Sequence, residues 1–274
     1  MSNPNVKPEK AASSGSFSTL FASVLIPVAI IIGFIVFYTI LGSPSNFEDG
    51  NPKGHPIPGN YLGMMFKGGY LVPILMGLMM IVLAVIVERF MTIRVASGKG
   101  SIPNFVRRIK GFLDRNDVNG AIGECDKQKG SVANVIREGL RKYQAMETIP
   151  GLETDQKVLA IQKEIEEATS LELPMLEKNL VILATISSVA TLMGLLGTVF
   201  GMIRAFSAIA TAGAPDAVAL STGISEALIN TALGISTSAI AIISYNYFTT
   251  KIDGLTYGID EAGYSVAQNY AAKH

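Results

Sequence analysis

A single acidic side chain stands in the longest apolar run of this chain. Between residues 217 and 250 the only charged group is Glu226, with Asn230 and Thr231 about one turn further on. Near the centre of a bilayer an acidic residue costs roughly 2.5–3.5 kcal/mol on insertion scales, and a Leu or Ile returns only about 0.3–0.6 kcal/mol. A carboxylate in that setting has two uses. It secures a helix by a hydrogen bond to its neighbour, or it marks an ion or partner pathway, the commoner role of intramembrane acids. Thr231, and Thr198 in the preceding apolar run, add hydroxyls that both donate and accept. Such groups hold water or solvate a carboxylic acid.

The spacing puts these residues on faces. Thr222, Glu226, Asn230, Gly234, Thr237, Ala241 and Ser244 recur at steps of three and four, one stripe of a helix. Ser187, Thr191, Gly194, Thr198, Gly201 and Ala205 do the same one run earlier. Gly197 and Gly201 form a Gly-x-x-x-Gly pair, which lets helices approach closely. A small, weakly polar stripe is either a packing face or the wall of a pore. Two of them on helices joined by a turn at 211–216 point to a pore. Arg204, about two turns from the end of its run, either snorkels to the outer interface or pairs with a carboxylate of a partner. Glu88 and Arg89, at the inner end of another apolar run, read as interface markers.

Enzyme chemistry has little to work with. The two histidines, His55 and His274, cannot build a His-based metal cluster or triad. No Gly-x-x-x-x-Gly-Lys phosphate loop occurs, so energy for any transport comes from elsewhere. No cofactor or metal is expected, and the chain is not expected to be an enzyme. Zero net charge gives no sign of nucleic-acid binding. Cys125 is the one cysteine, which rules out an internal disulfide framework, and it reads as an inert thiol.

These residues need long helices to carry them. The 274 residues are 49% hydrophobic and 16% charged, below the roughly 25% charged of soluble domains. Charges are nearly absent from four blocks, which read as spans at 20–41, 69–91 (closed by Glu88 and Arg89), 180–210 (with Arg204 alone) and 217–250 (with Glu226 alone). The last two exceed the hydrocarbon thickness and are expected to project beyond it. Residues 42–68, rich in Gly and Pro, read as a periplasmic loop. Residues 92–179 hold 14 of the 22 Lys and Arg and read as a helical cytoplasmic domain. Pro103 opens a helix there; Gly111, residues 116–120 and Lys129-Gly130 punctuate it. Pro174 kinks or interrupts a helix leading into 180–210. Both ends, 1–19 and 251–274, then fall on the cytoplasmic side. The run at 20–41 is too long for an ordinary signal peptide and is read as a retained helix facing lipid. The fold class is all-α: a polytopic membrane protein whose long spans extend into a helical cytoplasmic domain.

"MGLLGTVFGMIRAF" at 193–206, then "GISEALINTALGI" at 223–235, resembles the ExbB/TolQ/MotA proton-channel family, and most its ExbB branch. "LDRNDVNGAIGECDKQKGSVANVIREGL" at 113–140 and "LPMLEKNLVILATIS" at 173–187 share its helix order. The resemblance covers about residues 69–250. It implies a ring of subunits, a pentamer in ExbB, around helices of an ExbD-like single-span partner that carries the proton-binding Asp. It also implies a TonB-like protein that receives the work. The family's pore residues fall on Thr198, Glu226 and Thr231; position adds Asn230. The span at 20–41 is additional to the family's usual three. Thr191 stands where Pro is frequent, and Phe200 where Trp is frequent. Rival readings are a TolQ-like, gliding or flagellar stator, a non-conducting scaffold, and a solute transporter, whose usual inverted repeat is missing.

Overall fold

The computed structural model describes residues 14–212 and 217–274, with side chains described for 24–207 and 220–274. The expected N-terminal tail up to residue 13, and residues 213–216 of the expected turn, lie outside the described residues. Among the described residues nine α-helices follow one another: α1 Ser14–Val36, α2 Tyr61–Phe66, α3 Leu71–Ala96, α4 Ile102–Asp114, α5 Val118–Gln128, α6 Gly130–Thr148, α7 Thr154–Glu177, α8 Leu180–Ala212 and α9 Ala217–Lys273. Among the described residues the only β pairing is an isolated bridge between Phe47 and Pro56. Among the described residues four stretches are long and apolar enough to cross a membrane: Val24–Leu41, Leu71–Ala96, Thr154–Ser207 and Leu220–Lys273. Two compact units form, and α3, α8 and α9 each contribute to both.

The first unit takes in residues up to 82 and 188–238. Here α1 and α3 cross where Gly33 and Gly77 meet; a Cβ on Gly77 would sit 3.1 Å from Ile30 Cα. Only the bare backbone permits that approach. The last turn of α1 widens into a π-helix, Phe37–Leu41. Phe37 and Leu41 bury themselves with Val72, packed against Phe66, Ile229 and Leu233. Ile31 and Ile35 of α1, and Tyr38 of the π-helix, are exposed. The segment expected as a plain loop is more ordered than its Gly and Pro content suggests. Asn46 donates to the Ile40 and Leu41 carbonyls at 2.7 and 3.0 Å, satisfying the end of the helix. Asn60 caps α2 by accepting from Leu62 and Gly63. Lys67 Nζ binds the Pro52 and Lys53 carbonyls, each at 3.1 Å.

The second unit takes in 83–187 and 239–274. Phe105, Ile109 and Leu113 of α4 lie at three-and-four spacing and are buried. Ile136, Leu140 and Tyr143 of α6, Ile161 of α7, and Leu255, Ile259, Val266 and Tyr270 of α9 are buried in the same unit. Ser101 precedes α4 and a proline occupies its first turn. Breaks fall at Asn116 (φ 60°) and Lys129 (φ 57°), whereas Gly111 lies inside α4 and ends nothing. Residues 251–274, read from sequence as a tail, continue α9 as packed helix. Tyr143 donates to Asn269 at 3.2 Å, and Thr154 donates to the His274 carbonyl at 3.0 Å.

Pro174 is accommodated inside α7; the interruption comes at Lys178 and Asn179 (φ 65°). Arg89 explains how that end is held. It is 2% exposed, pairs with Glu88, and donates to the Leu176 carbonyl at 3.0 Å. Asn179 donates to Glu88 at 3.3 Å. Glu88 and Arg89 are therefore more than the interface markers their position suggested: Arg89 satisfies open carbonyls at the end of α7, and Glu88 holds Arg89 and accepts from Asn179.

Candidate functional site

Small residues set the geometry of the first unit. Along α8 the face formed by Ala190, Gly194, Gly197, Gly201 and Ala205 lies against Gly223, Ala227, Asn230 and Gly234 of α9. A Cβ on Gly201 would fall 2.8 Å from the Gly223 carbonyl oxygen and 2.9 Å from Ala227 N. One on Gly194 would fall 3.0 Å from the Asn230 carbonyl oxygen. Backbone meets backbone here, which strengthens dispersion contacts where lipid offers no hydrophobic drive.

Glu226 and Asn230 sit on that buried side. Glu226 is 7% exposed and Asn230 1%. Arg204 of α8 donates to Glu226 Oε1 at 2.5 Å. The Arg204 side chain is half exposed and that of Glu226 only 10%, so the carboxylate is enclosed and the guanidinium forms its open side. Gly69, in a left-handed conformation (φ 75°), abuts the same carboxylate, leaving no room for a Cβ. Asn230 Nδ2 donates to the Gly68 carbonyl at 2.8 Å and to the Glu226 backbone carbonyl at 3.1 Å. Its Oδ1 is buried and without a hydrogen-bond partner among the described residues. Buried acceptors are rarely left so.

Two expectations change. Arg204 neither simply snorkels nor waits for another chain's carboxylate: within this chain it is the partner of Glu226. The stripe of α9 is not an open wall of this chain. Thr237 and Ala241 along it are fully buried with Asn230 and Glu226, because its small residues let backbones close over it.

The threonines sit differently. Thr231 Oγ1 donates to the Ala227 carbonyl at 3.2 Å and reaches the Gly194 carbonyl at 3.4 Å. Thr198 Oγ1 donates to the Leu195 carbonyl of its own helix at 2.5 Å. It opens on a groove of about 540 Å³ lined by α8 alone, with Val199, Met202, Ile203 and Phe206. Thus the structure joins Arg204, Glu226, Asn230 and the Gly68-Gly69 turn, and leaves Thr198 on another face. Sequence reasoning missed that turn. The signal for it was the pair of adjacent glycines at the head of an apolar run. Among the described residues no group of three or more His, Cys, Asp or Glu is arranged to hold a metal.

Residues 127–261 match the model of the MotA/TolQ/ExbB proton channel family. The chain is similar to the Tol-Pal system protein TolQ of Haemophilus influenzae, 26% identical over 218 residues, which covers 74% of this chain and 91% of the relative. TolQ of Pseudomonas aeruginosa is 28% identical over 159 residues, 58% of this chain and 69% of the relative. The biopolymer transport protein ExbB of Pseudomonas putida is 38% identical over 85 residues, 31% and 26% of the two chains.

Proposed function

We propose that this chain, whose residues 127–261 match the model of the MotA/TolQ/ExbB proton channel family, is the stator subunit of a proton-driven motor in a bacterial inner membrane. The observation that carries the reading is Glu226: a carboxylate enclosed within an apolar span, ion-paired to Arg204, inside the family-matched segment. Several copies of the chain, five in the ExbB-type arrangement, form a ring around the helices of an ExbD-like single-span partner. That partner brings the primary proton-binding carboxylate. Thr198, Thr231, Asn230 and Glu226 are the polar groups of the path in this reading, Thr198 on an open groove of α8 and Glu226 behind Arg204, so the partner meets the carboxylate only when Arg204 releases it. Asn230 Oδ1 offers a free acceptor beside the backbone of Glu226, and Arg204 opens or closes the carboxylate by keeping or releasing it. A charge crossing the membrane yields about 2.3 kcal/mol per 100 mV, so mechanical work takes several protons. Both termini and the 92–179 domain lie on the cytoplasmic side in this reading, from the excess of Lys and Arg there.

The work delivered has two readings. In one, a TonB-like protein receives it and drives import at the outer membrane. In the other, the chain serves a Tol-Pal type system. The longer alignments, to TolQ proteins, favour the second. The local motif resemblance favours the first.

The test is co-expression with an ExbD-like single-span protein, purification, and reconstitution into liposomes holding a pH-sensitive dye. An imposed potassium diffusion potential should acidify vesicles containing the complex, and Glu226→Ala should abolish most of that flux with the assembly intact. Vesicles that stay at constant pH with a correctly assembled wild-type complex would leave the scaffold reading standing. Deleting the gene then separates the two destinations: loss of energised uptake points to a TonB-like partner, and loss of outer-membrane integrity to a Tol-type one.

A further inference from the structure

A second polar site lies in the second unit, where α3 ends and α9 leaves its apolar stretch. Arg94 of α3 and Lys251 of α9 line one cavity of about 250 Å³ with Phe90, Ile93, Tyr247 and Phe248. No carboxylate lines it. Neither cation has an ion-pair partner among the described residues; Lys251 lies 5.7 Å from the centre of the Tyr247 ring. Phe90 and Tyr247 are about half exposed, and Val87, Met91 and Val95 on the same stretch of α3 are more so. Two unpaired cations thus face an aromatic cavity at the end of an exposed apolar surface.

We propose that this cavity binds the phosphate of an anionic phospholipid, in the leaflet on the Lys- and Arg-rich side of the membrane. The charge sign calls for an anion. Position and wall composition choose the source. A free phosphate would gain nothing from Phe90, Ile93 and the exposed Val87, Met91 and Val95, whereas a lipid places its glycerol and acyl chains there. Tyr and Phe suit the headgroup level, and juxtamembrane cations attract anionic lipid at about 1 kcal/mol each. The site shares no residue with the Arg204–Glu226 pair.

Native mass spectrometry of the purified, delipidated full chain tests this, titrated separately with dioleoylphosphatidylglycerol, dioleoylphosphatidylcholine and inorganic phosphate. Wild type should retain phosphatidylglycerol in preference to phosphatidylcholine. The double variant R94Q/K251Q should bind phosphatidylglycerol roughly thirtyfold more weakly, and R94K/K251R should bind as wild type does. Both positions are exposed, and circular dichroism verifies that the helices persist. Equal retention of the two lipids by wild type overturns the proposal without reference to any variant. So does displacement of the lipid by millimolar phosphate, which would assign the site to a free anion. A smaller assembly mass in R94Q/K251Q with unchanged lipid adducts would assign the face to a second copy of the chain.

Discussion

At the scale of single residues, Glu226 and Arg204 act as a unit. Removing Arg204 leaves an enclosed carboxylate with no cation, the costlier way to break a buried pair. Because Arg204 is half exposed, the loss is softened by screening. Arg204→Ala should lower the melting temperature in detergent measurably, and Arg204→Lys should lower it less. Arg204→Ala combined with Glu226→Gln should recover part of the loss; strictly additive losses would show that the pair does not couple. Glu226→Gln also separates two roles in the flux assay. Retained flux assigns Glu226 a contact role, and lost flux makes its charge necessary. Thr198→Val and Thr231→Val keep shape and remove hydroxyls, so each should slow flux with assembly unchanged. Full flux in both would remove them from the pathway. Cys125 lies outside this chemistry. It is 2% exposed, and burial, with a smaller push from Asp126, raises its thiol to about 12. A thiol that ionises more readily unfolded than folded contributes stability that is whole below about pH 9 and is lost as pH rises toward 12. Maleimide should therefore label it slowly at pH 7.5 until denaturant is added. Cys125→Ala should flatten the fall in melting temperature between pH 9 and 11; rapid labelling of the native chain would contradict the burial.

At the scale of elements, the α8–α9 seam is where backbone rather than side chain decides. Gly201→Ala would drive a methyl into the Gly223 carbonyl and the Ala227 amide, and two helices cannot move apart cheaply in a packed seam. A loss of about 1–3 kcal/mol is expected. Gly254, in the same long helix, has nothing within 4 Å of an added Cβ. Gly254→Ala should stabilise by about 0.5–1 kcal/mol, since Ala suits a helix interior better than Gly. Thermal melts followed by intrinsic tyrosine emission compare the two directly, and equal shifts would mean the seam is looser than its contacts imply. The break between α7 and α8 has the same logic in polar form. Pro174 lies within α7, while Arg89 and Glu88 secure the chain where α7 gives way to α8 through the left-handed Asn179.

At the scale of the whole molecule, much apolar surface has no partner within this chain. Leu192, Leu195, Val199, Ile203 and Phe206 of α8, and Leu228, Ile235 and Ile243 of α9, are all exposed. In the proposed ring, lipid would cover such a surface on one side of a span and further copies of the chain on the other. Mass photometry of the detergent-solubilised protein should give a closed multiple of the 29.1 kDa chain, five if the ring is of the ExbB type. A strictly monomeric mass would remove the ring. The long apolar runs and their charge-free lengths were legible in sequence, because a bilayer imposes one simple demand on every residue that crosses it. The odd carboxylate was legible for the same reason: it violates that demand. Motif spelling was enough to point to the family. Contacts between distant residues were not legible. Nothing in the spacing of Arg204 and Glu226, 22 positions apart across a turn, states that they meet. Nor does it state that Gly69 closes on that carboxylate, or that Asn230 spends its amide on the Gly68 carbonyl. The periodicity of a helix says which residues share a face. Which neighbour covers the face depends on how closely backbones pack, and here glycines at facing positions of α8 and α9 bury Glu226 and Asn230 within the chain.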